Sequence, residues 1–328
     1  IVSFLNEQYF NAPDSARANL VIDQMVDNFI LVPLHLTAPL ETKEKEDQSY
    51  YFVSTTPAIP HSLEVSDGHF SGFVHYKTKT IAEQLTLFEY TVFCRIRAKE
   101  LIGQAWSKNQ VNRSPNVLAS IQLFNRLSHW VAAEIVLEQN DIARKTVLQQ
   151  FISLAWNLRS LQNYNSLFAI VCGLELACVS RLKNAWKAAF SSSKCESRFR
   201  TLVSECSPEA NYPKYRAWLR SYEIGTENKF AVPYLGVFLR DLTLCEVGNS
   251  AFLTGNNINW ERYDLISNQL ALVKKFQKFE CTIEVNVRVQ NFLARGTCSI
   301  LDDEELYRLS RMREGIATTS RSEGSVLT

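Results

Sequence analysis

The chain has 328 residues, of which 46% are hydrophobic and 21% are charged, and its formal net charge is +1. This composition is that of an ordinary folded protein, and with so small a net charge no bulk electrostatic argument points to nucleic acid or to a membrane surface as a partner. The longest apolar stretch, 167–179, is interrupted by Glu175 and is too short to span a bilayer. No signal peptide is evident at the start, and because the first residue is Ile1 we expect the chain to be part of a longer polypeptide.

The first 76 residues predict a small amino-terminal segment of helical and extended character. A helix is predicted over 14–30, where Asp14 can cap the first turn and apolar residues form a broad face. The charge-rich run 41–48 predicts a solvated linker. Residues 50–75 mix proline and glycine with aromatic and β-branched side chains, which is typical of an extended or loop-rich connector.

From residue 78 onward the sequence predicts an all-α fold, because glycine and proline are sparse and apolar residues recur at spacings of three and four. We predict helices over 79–94, 98–106, 116–137, 141–159, 161–173, 181–190, 209–222, 233–247, 259–277, 283–293 and 302–314. No internal repeat and no β-α-β alternation is present, which argues against a solenoid and a doubly wound sheet. We expect one large domain over 77–317, followed by a flexible tail, 318–328.

The segment 141–159 shows the helical pattern well. Asn140 or Asp141 can cap its first turn. Its predicted buried stripe consists of the apolar residues Ile142, Leu148, Phe151, Ile152, Ala155 and Leu158.

The side chains that usually carry covalent or metal chemistry form no recognised motif. The eight cysteines include no Cys-x-x-Cys pair and lie beside no histidine at metal-ligand spacing. Most of them lie in apolar runs, which favours reduced, buried thiols in the cytosol over a zinc site or a disulfide framework. Phosphate-binding glycine loops, dinucleotide fingerprints, His-Glu-x-x-His helices and Gly-x-Ser-x-Gly elbows are also absent. We therefore expect no covalent catalysis, no cofactor and no metal.

The segment 233–247 is unusual because the predicted helix is apolar on both sides. Proline suits its start, and the pair at 248–249, Gly-Asn, suits its end. One face has Leu235, Phe238, Leu239 and Leu242, while the other has Val237, Leu244 and Val247 beside Arg240 and Thr243. Such a helix is either a central core helix, or a helix that packs one face against its own domain and binds another protein with the other face.

A second long helix is predicted over 259–277, after a polar loop at 249–257. Asn259 can cap it, and its apolar stripe consists of Leu265, Ile266, Leu270 and Val273. Two helices joined by a short polar loop form an antiparallel hairpin. The first arm, at about 15 residues, is roughly 22 Å long and can reach from a domain into a partner.

Five blocks of sequence, in order, carry a family resemblance. They are IAEQLTLFEYTVFCRIRAKELIGQAW (81–106), SPNVLASIQLFNRLSHWVAAEI (114–135), LQNYNSLFAIVCGLELACVSRLKNAW (161–186), VPYLGVFLRDLT (232–243) and DDEELYRLS (302–310). Together they resemble the catalytic domain of Ras-family guanine nucleotide exchange factors, the Cdc25-homology domain. The order of all five blocks makes the resemblance specific, whereas any single block is a weak signal.

The resemblance implies one large helical bowl with the antiparallel hairpin protruding at its rim. In this family the hairpin displaces switch I of a small GTPase, while an apolar pocket in the bowl holds switch II. The exchange factor prefers the nucleotide-free GTPase and so shifts the equilibrium toward release of GDP, without covalent chemistry. The helix 233–247 would be the wedge.

The resemblance also assigns site residues. The switch II pocket would be lined by Ile121, Phe168, Tyr212 and Tyr234. Polar contacts with the GTPase would come from Gln122, Glu175 and Asn211. The wedge helix would use Tyr234, Arg240, Thr243, Leu244 and Val247. By residue type alone, Ile121 and Phe168 are equally well explained as core. For Asn163 and Asn165 we expect a structural role, in which their side chains hold a loop by hydrogen bonds.

Three positions depart from the family pattern. Val247 replaces a glutamate that some members have near the end of the wedge helix, and Glu246 lies about 100° away around the helix. Asn211 replaces a histidine, and Leu265 a lysine, of some members. These departures favour steric displacement of switch I over repulsion of the nucleotide by a carboxylate. They also leave open a scaffold that binds a small GTPase without exchange activity, and an unrelated helical interaction domain is the third interpretation.

The resemblance implies a small GTPase of the Ras superfamily as partner, in the Ras, Rap or a related branch. Nucleic acid is not expected as a partner. We expect a cytoplasmic location, with membrane recruitment only through regions outside this chain. The predicted helix 14–30 fits the exchanger-motif module that often precedes this domain in the family.

Overall fold

The computed structural model describes residues 32–33, 50–51, 72–108, 110–224, 230–254, 257–298 and 301–314. These residues are mainly helical, with two short strands, β1 (Val32–Pro33) and β2 (Tyr50–Tyr51), that pair antiparallel. The predicted all-α fold is confirmed. The predicted helix 14–30, the linker 41–48 and the tail 318–328 lie outside the described residues, as does most of the connector 50–75.

The α-helices of the described residues are α1 (Thr78–Cys94), α2 (Pro115–Leu137), α3 (Asp141–Ser160), α4 (Tyr164–Glu175), α5 (Ala177–Ser180), α6 (Lys183–Ala189), α7 (Ser193–Cys206), α8 (Pro213–Ile224), α9 (Leu235–Gly248), α10 (Trp260–Phe276), α11 (Val287–Cys298) and α12 (Asp303–Arg313). Short 3-10 helices at Gly72–His75 and Ala98–Leu101 flank α1. The predicted α1, α2, α3, α9, α10 and α12 are confirmed with ends shifted by one or two residues. In this part of the chain, no helix has both the length and the apolar surface to cross a bilayer.

The core is built around α2 and α4, which lie in close contact, with α3 packed against α4 and α1. The two central helices approach so closely that a Cβ at Gly173 would lie 2.5 Å from the backbone oxygen of Ser128. Phe73, which precedes α1, stacks on Phe151 of α3 at a centroid distance of 4.1 Å. Trp130 of α2 meets Phe151 edge-on at 5.1 Å. The segment before α1 therefore belongs to the same core as the central helices.

The prediction of a helix over 98–106 is wrong. The chain forms only the 3-10 helix Ala98–Leu101 and then turns, and Gly103 and Gln104 have positive φ angles of 75° and 51°. Glu100 explains the arrangement, since its Oε2 accepts hydrogen bonds from two backbone N–H groups in the first turn of α2, at 2.7 and 3.3 Å. A carboxylate is stabilised there because those N–H groups have no partner within the helix.

Three helices begin later than predicted, and each has a local cause. α4 begins at residue 164 instead of 161, because Asn163 accepts a hydrogen bond from a backbone N–H in its first turn. α8 begins at residue 213 instead of 209, because residues 210–212 have positive φ angles. α11 begins at residue 287 instead of 283, and Asn286 accepts a hydrogen bond from the N–H of Val289 at 3.1 Å.

α7 is absent from the helices predicted from the sequence. Its first turn lies in a run of serines that is typical of a loop, yet Cys195, Phe199, Leu202 and Cys206 pack inward at helical spacing. The preceding helix, α6, covers residues 183–189 and is shorter than the predicted 181–190.

Three apolar side chains lie elsewhere than predicted. Ile142 is 77% exposed, because it sits in the first turn of α3 beside its cap, Asn140, before the helix enters the core. Leu265 is 40% exposed, because the burial of its neighbour Ile266 turns position 265 about 100° outward. Val237, predicted on the free side of α9, is fully buried, since the start of α9 is enclosed on both sides.

Candidate functional site

Three of the predicted pocket residues meet in one aromatic cluster. The rings of Phe168 and Tyr234 stack with their centroids 4.2 Å apart. Tyr212 lies 5.8 Å from Phe168 and 5.9 Å from Tyr234. Tyr215, which the sequence analysis did not single out, joins the cluster at 5.3 Å from Phe168. No helical spacing points to it, because Tyr212 lies in the left-handed turn before α8 whereas Tyr215 lies within the helix.

A cavity of about 210 Å³ opens beside this cluster, between α2 and the start of α9. Ile121, Phe124 and Leu239 provide apolar walls, and Tyr234 closes one side. The rings of Phe124 and Tyr234 lie 5.6 Å apart. The structure therefore brings the fourth predicted pocket residue, Ile121, to the same place as the aromatic cluster. Phe124 was missed, although it lies three residues after Ile121 on the same helix.

Tyr234 is held across the start of α9. Its backbone N–H donates to the hydroxyl oxygen of Tyr215 at 2.8 Å. Its ring covers Gly236, where a Cβ would lie 2.5 Å from the ring. An aromatic residue followed two positions later by glycine suits this helix start, because any side chain at 236 would displace the ring.

Asn165 joins α4, α1 and α9 at the base of the site. Its Oδ1 accepts a hydrogen bond from the N–H of Leu235 at 3.2 Å, and its Nδ2 donates to Oε2 of Glu89 at 2.9 Å. Asn163 donates to Thr86 on α1 at 3.1 Å, so the structural role predicted for both asparagines is confirmed. Burial raises the pKa of Glu89 to about 8, against the opposing effect of the hydrogen bond from Asn165. At neutral pH this carboxyl group is therefore mostly protonated.

The turn that carries Tyr212 has an unusual backbone. Ala210, Asn211 and Tyr212 have consecutive positive φ angles of 51°, 62° and 58°. This conformation costs about 1–3 kcal/mol for most residues, and asparagine tolerates it best. Arg216 supports the turn, since its Nε donates to the backbone oxygen of Asn211 at 2.9 Å and its Nη2 donates to Oδ1 at 3.2 Å. The oxygens of Asn211, a predicted polar contact, therefore already have an intramolecular partner.

The first half of α9 is buried, and the second half is largely exposed. Leu235, Val237, Phe238, Leu239 and Leu242 pack into the core. Leu244 is 56% exposed and Val247 is 73% exposed. Arg240 is also exposed, while Thr243 is half-buried and donates to the backbone oxygen of Leu239 at 2.8 Å. The end of α9 thus presents an apolar surface to solvent.

α9 and α10 pack against each other. Phe238 near the start of α9 meets Phe276 at the end of α10, with ring centroids 6.3 Å apart. Past the other end of α9, the backbone oxygen of Asn249 accepts a hydrogen bond from Nη1 of Arg262 at 2.9 Å. Contacts between the start of one helix and the end of the other are those of an antiparallel pair.

Glu246, in the last turn of α9, is engaged by another part of the chain. Its Oε1 accepts a hydrogen bond from the N–H of Gly103 at 2.7 Å, and its Oε2 accepts one from Nε2 of Gln104 at 3.1 Å. The turn after the second 3-10 helix therefore supports the far end of α9. Val247, the next residue, remains exposed.

The other two predicted polar contacts lie on helices that carry pocket residues. Gln122 is half-buried on α2, next to Ile121, and Glu175 is exposed at the end of α4, the helix of Phe168. The side chain of neither residue forms a hydrogen bond or an ion pair with another described residue.

The tyrosine hydroxyls of the cluster and the thiol beside it keep their protons at neutral pH. Burial raises the pKa of Tyr215 and of Tyr234, so both hydroxyls stay neutral. Cys172, which is exposed by its accessible surface, lies beside the cluster, where partial desolvation of its thiol raises the pKa to about 11 and makes it a poor nucleophile at neutral pH. Across the described ranges, no three His, Cys, Asp or Glu side chains are grouped so that they could hold a metal ion.

Comparison with known proteins identifies related chains. "Ras guanine nucleotide exchange factor M" of Dictyostelium discoideum is 30% identical over 277 residues, which cover 83% of this chain and 28% of that protein. "Ras guanine nucleotide exchange factor P" of the same organism is 36% identical over 236 residues, or 71% of this chain and 15% of that protein. "Ras-specific guanine nucleotide-releasing factor 1" of Rattus norvegicus is 30% identical over 239 residues, or 73% and 19%. The chain thus spans less than a third of the length of these relatives.

A family model described as "RasGEF domain" matches residues 80–264, which is more than half of the chain. The match includes the aromatic cluster, the cavity and the whole of α9. The chain therefore belongs to the RasGEF domain family.

Proposed function

We propose that this chain is a guanine nucleotide exchange factor that accelerates GDP release from a small GTPase of the Ras superfamily. The observation that carries the proposal is the exposed apolar end of α9, a helix that begins in the aromatic cluster. Membership of the RasGEF family and relatives named as Ras exchange factors support it.

In the proposed mechanism α9 is the wedge. Leu244 and Val247 press apolar side chains against the GTPase beside the nucleotide and displace switch I, with Arg240 and Thr243 on the flank. Because Glu246 is bound to the turn at 103–104, we propose steric displacement and not repulsion of the phosphates. Tighter binding to the nucleotide-free GTPase than to the GDP form then shifts the equilibrium toward release.

The aromatic cluster and its cavity would hold switch II. A cavity of about 210 Å³ with aromatic walls suits a large apolar or aromatic side chain of the partner. Gln122 and Glu175 would offer polar groups to the GTPase. Asn211 would donate from Nδ2, since both of its oxygens accept hydrogen bonds from Arg216.

The proposed catalytic domain covers residues 77–317 and forms a bowl, with α9 and α10 protruding together at its rim. Residues 1–76 would contribute an exchanger-motif segment. We propose that the protein acts in the cytoplasm and reaches membranes through regions outside this chain. Its partner would be a GTPase of the Ras, Rap or a related branch.

The test is release of fluorescent GDP from a panel of Ras, Rap, Ral and related GTPases. Tyr234→Ala should lower the rate at least about tenfold, because Tyr234 belongs to both the pocket and the wedge, and Arg240→Ala should lower it about threefold. Tyr307→Ala and Arg200→Ala, at surface positions on α12 and α7, serve as matched controls. Unchanged release with both site variants would show that the wedge assignment is wrong.

An exchange-inactive scaffold is the second candidate function. The end of α9 favours it, because Val247 is apolar and the carboxylate of Glu246 is engaged within the chain. A pull-down with nucleotide-free GTPases separates the two candidates. Stable binding without faster nucleotide release would identify a scaffold, whereas binding with faster release would identify an exchange factor.

A further inference from the structure

We propose that Arg216 is a positioning residue that holds the pocket turn, residues 210–212, and the wedge helix α9 in one fixed relation. The inference rests on the proposed exchange function. Arg216 lies in the first turn of α8, directly after the pocket turn. Its guanidinium group forms hydrogen bonds with both elements at once.

The contact with α9 is a bidentate ion pair. Nη1 of Arg216 donates to Oδ2 of Asp241 at 2.8 Å, and Nη2 donates to Oδ1 at 2.5 Å. The side chains are only 21% and 17% exposed, so solvent screens the pair weakly. The hydrogen bonds that Arg216 donates to the Asp241 carboxylate raise the pKa of Arg216, which therefore remains charged.

The contact with the pocket turn uses the remaining side of the same guanidinium. Nε donates to the backbone oxygen of Asn211 at 2.9 Å, and Nη2 donates to Oδ1 of that residue at 3.2 Å. Three consecutive left-handed residues need such external support, because their backbone conformation is unfavourable without it. The planar arginine fork can bind two acceptors in fixed directions, whereas a lysine ammonium cannot.

The two contacts lie next to residues that the proposed mechanism uses. Asn211 directly precedes Tyr212 of the aromatic cluster. Asp241 follows the exposed Arg240 and lies one helical turn before Leu244 and Cys245. One guanidinium therefore sets the spacing between the pocket, which would hold switch II, and the wedge, which would displace switch I. A GTPase bound by both elements would be distorted only if that spacing is fixed.

The same chain offers a matched control pair. Arg159 of α3 and Glu205 of α7 form a bidentate pair with both distances at 2.7 Å, and their side chains are 37% and 22% exposed. This pair touches neither the pocket turn nor α9. Arg159→Lys and Glu205→Gln therefore reproduce the chemistry of Arg216→Lys and Asp241→Asn at a place without the proposed role.

The experiment measures kcat and KM for exchange on a GTPase loaded with fluorescent GDP, together with the Tm of each exchange-factor variant. The variants are the single substitutions Arg216→Lys and Asp241→Asn, their double variant, and the control substitutions Arg159→Lys and Glu205→Gln. We expect each single variant of the Arg216 pair to lower kcat about tenfold while KM changes less than about twofold. The double variant should be no slower than the slower single variant, because both remove the same contact. The control variants should lower Tm by a similar amount and leave kcat within about twofold of the wild type.

An unchanged kcat in the Arg216 and Asp241 variants overturns the inference, and so does an equal loss of kcat in the control pair. A rise in KM without a fall in kcat would mean that Arg216 contributes to binding of the GTPase, and this result would also overturn the inference. Wild-type protein that accelerates release from none of the GTPases overturns the proposed function itself, and the inference with it. The wild-type rate therefore distinguishes the two failures.

Discussion

The helices α4 and α9 share one sequence property, since each has apolar residues on opposite sides, yet the folded chain places them in different surroundings. α4 is buried from Tyr164 to Val171 and lies between α2 and α3. α9 is enclosed only along its first half, and its last turns expose Leu244 and Val247. The difference teaches that an apolar helix needs a partner on each side, and that only the position of its neighbours decides whether its own chain provides that partner.

The largest expected effect comes from removing the same side chain on each helix. Leu167→Ala in α4 should lower the free energy of unfolding by about 2–5 kcal/mol, because Leu167 is fully buried and its loss leaves a cavity. Leu244→Ala in α9 should change it by less than about 0.5 kcal/mol, because that side chain already faces water. Urea denaturation of both variants measures the two changes in the free energy of unfolding. Equal losses would mean that the end of α9 is core and not a contact surface.

A glycine in each helix sharpens the comparison further. Gly173→Ala in α4 should lower the free energy of unfolding by about 1–3 kcal/mol, because the new Cβ would lie 2.5 Å from the backbone oxygen of Ser128 and 2.7 Å from Cβ of Val131. Gly248→Ala in α9 should raise it by about 0.5–1 kcal/mol, since nothing lies within 4 Å of the new Cβ and alanine favours the helix. Thermal melts of the two variants should therefore shift in opposite directions. Shifts of the same sign would contradict the difference in packing.

The hydrogen bonds of Asn165, which connect α4 to α9, give a smaller effect on stability that depends on pH. Asn165 of α4 binds both the start of α9 and Glu89, whose pKa is raised by burial from 4.5 to about 8. The folded protein therefore keeps a proton that the unfolded chain releases between these two pH values. The contribution of Glu89 to the free energy of unfolding is therefore fully present below pH 4.5. It falls as the pH rises toward 8, by at most about 1.4 kcal/mol per pH unit.

Glu89→Gln removes this titration, so the variant should gain stability relative to the wild type as the pH rises through that window. Denaturation at several pH values measures the slope. Glu83→Gln on the same helix is the control, because the carboxylate of Glu83 lies at the surface, 3.8 Å from Lys79. Parallel stability profiles for the wild type and Glu89→Gln would rule out a neutral buried carboxyl group.

The fold class and the long helices follow from sequence because their signals are local. Apolar spacing and capping residues predict α2, α3, α10 and α12 with ends within one residue, as Asn140 and Asn259 illustrate. The errors arise where a distant contact overrides local preference. The segment 98–106 reads as a helix, but Glu100 is used to cap α2. α7 reads as a loop at its start, but burial of Leu202 and its neighbours holds it helical.

Only some residues of the aromatic cluster and its cavity could be named from the sequence, while Tyr215, Phe124 and the side chains that support the cluster could not. The family resemblance predicts Phe168, Tyr212 and Tyr234, and the structure brings their rings together. Arg216 and Glu246 carry no pattern that marks their contacts, because their partners lie on other elements of the chain. Hydrogen bonds between distant elements leave no periodic trace in a sequence, so no reading of spacing can find them.

Three properties can be predicted from the amino-acid sequence alone: the helical character of the chain, the apolar helix at 233–247 and the resemblance to the RasGEF family. These are properties of short segments, where side-chain spacing and capping act over a few residues. The burial of Val237, the exposure of Leu244 and the guanidinium group that the pocket turn shares with α9 become visible only in the folded chain. Burial and pairing depend on which distant segments surround a residue, and that arrangement exists only after the chain has folded.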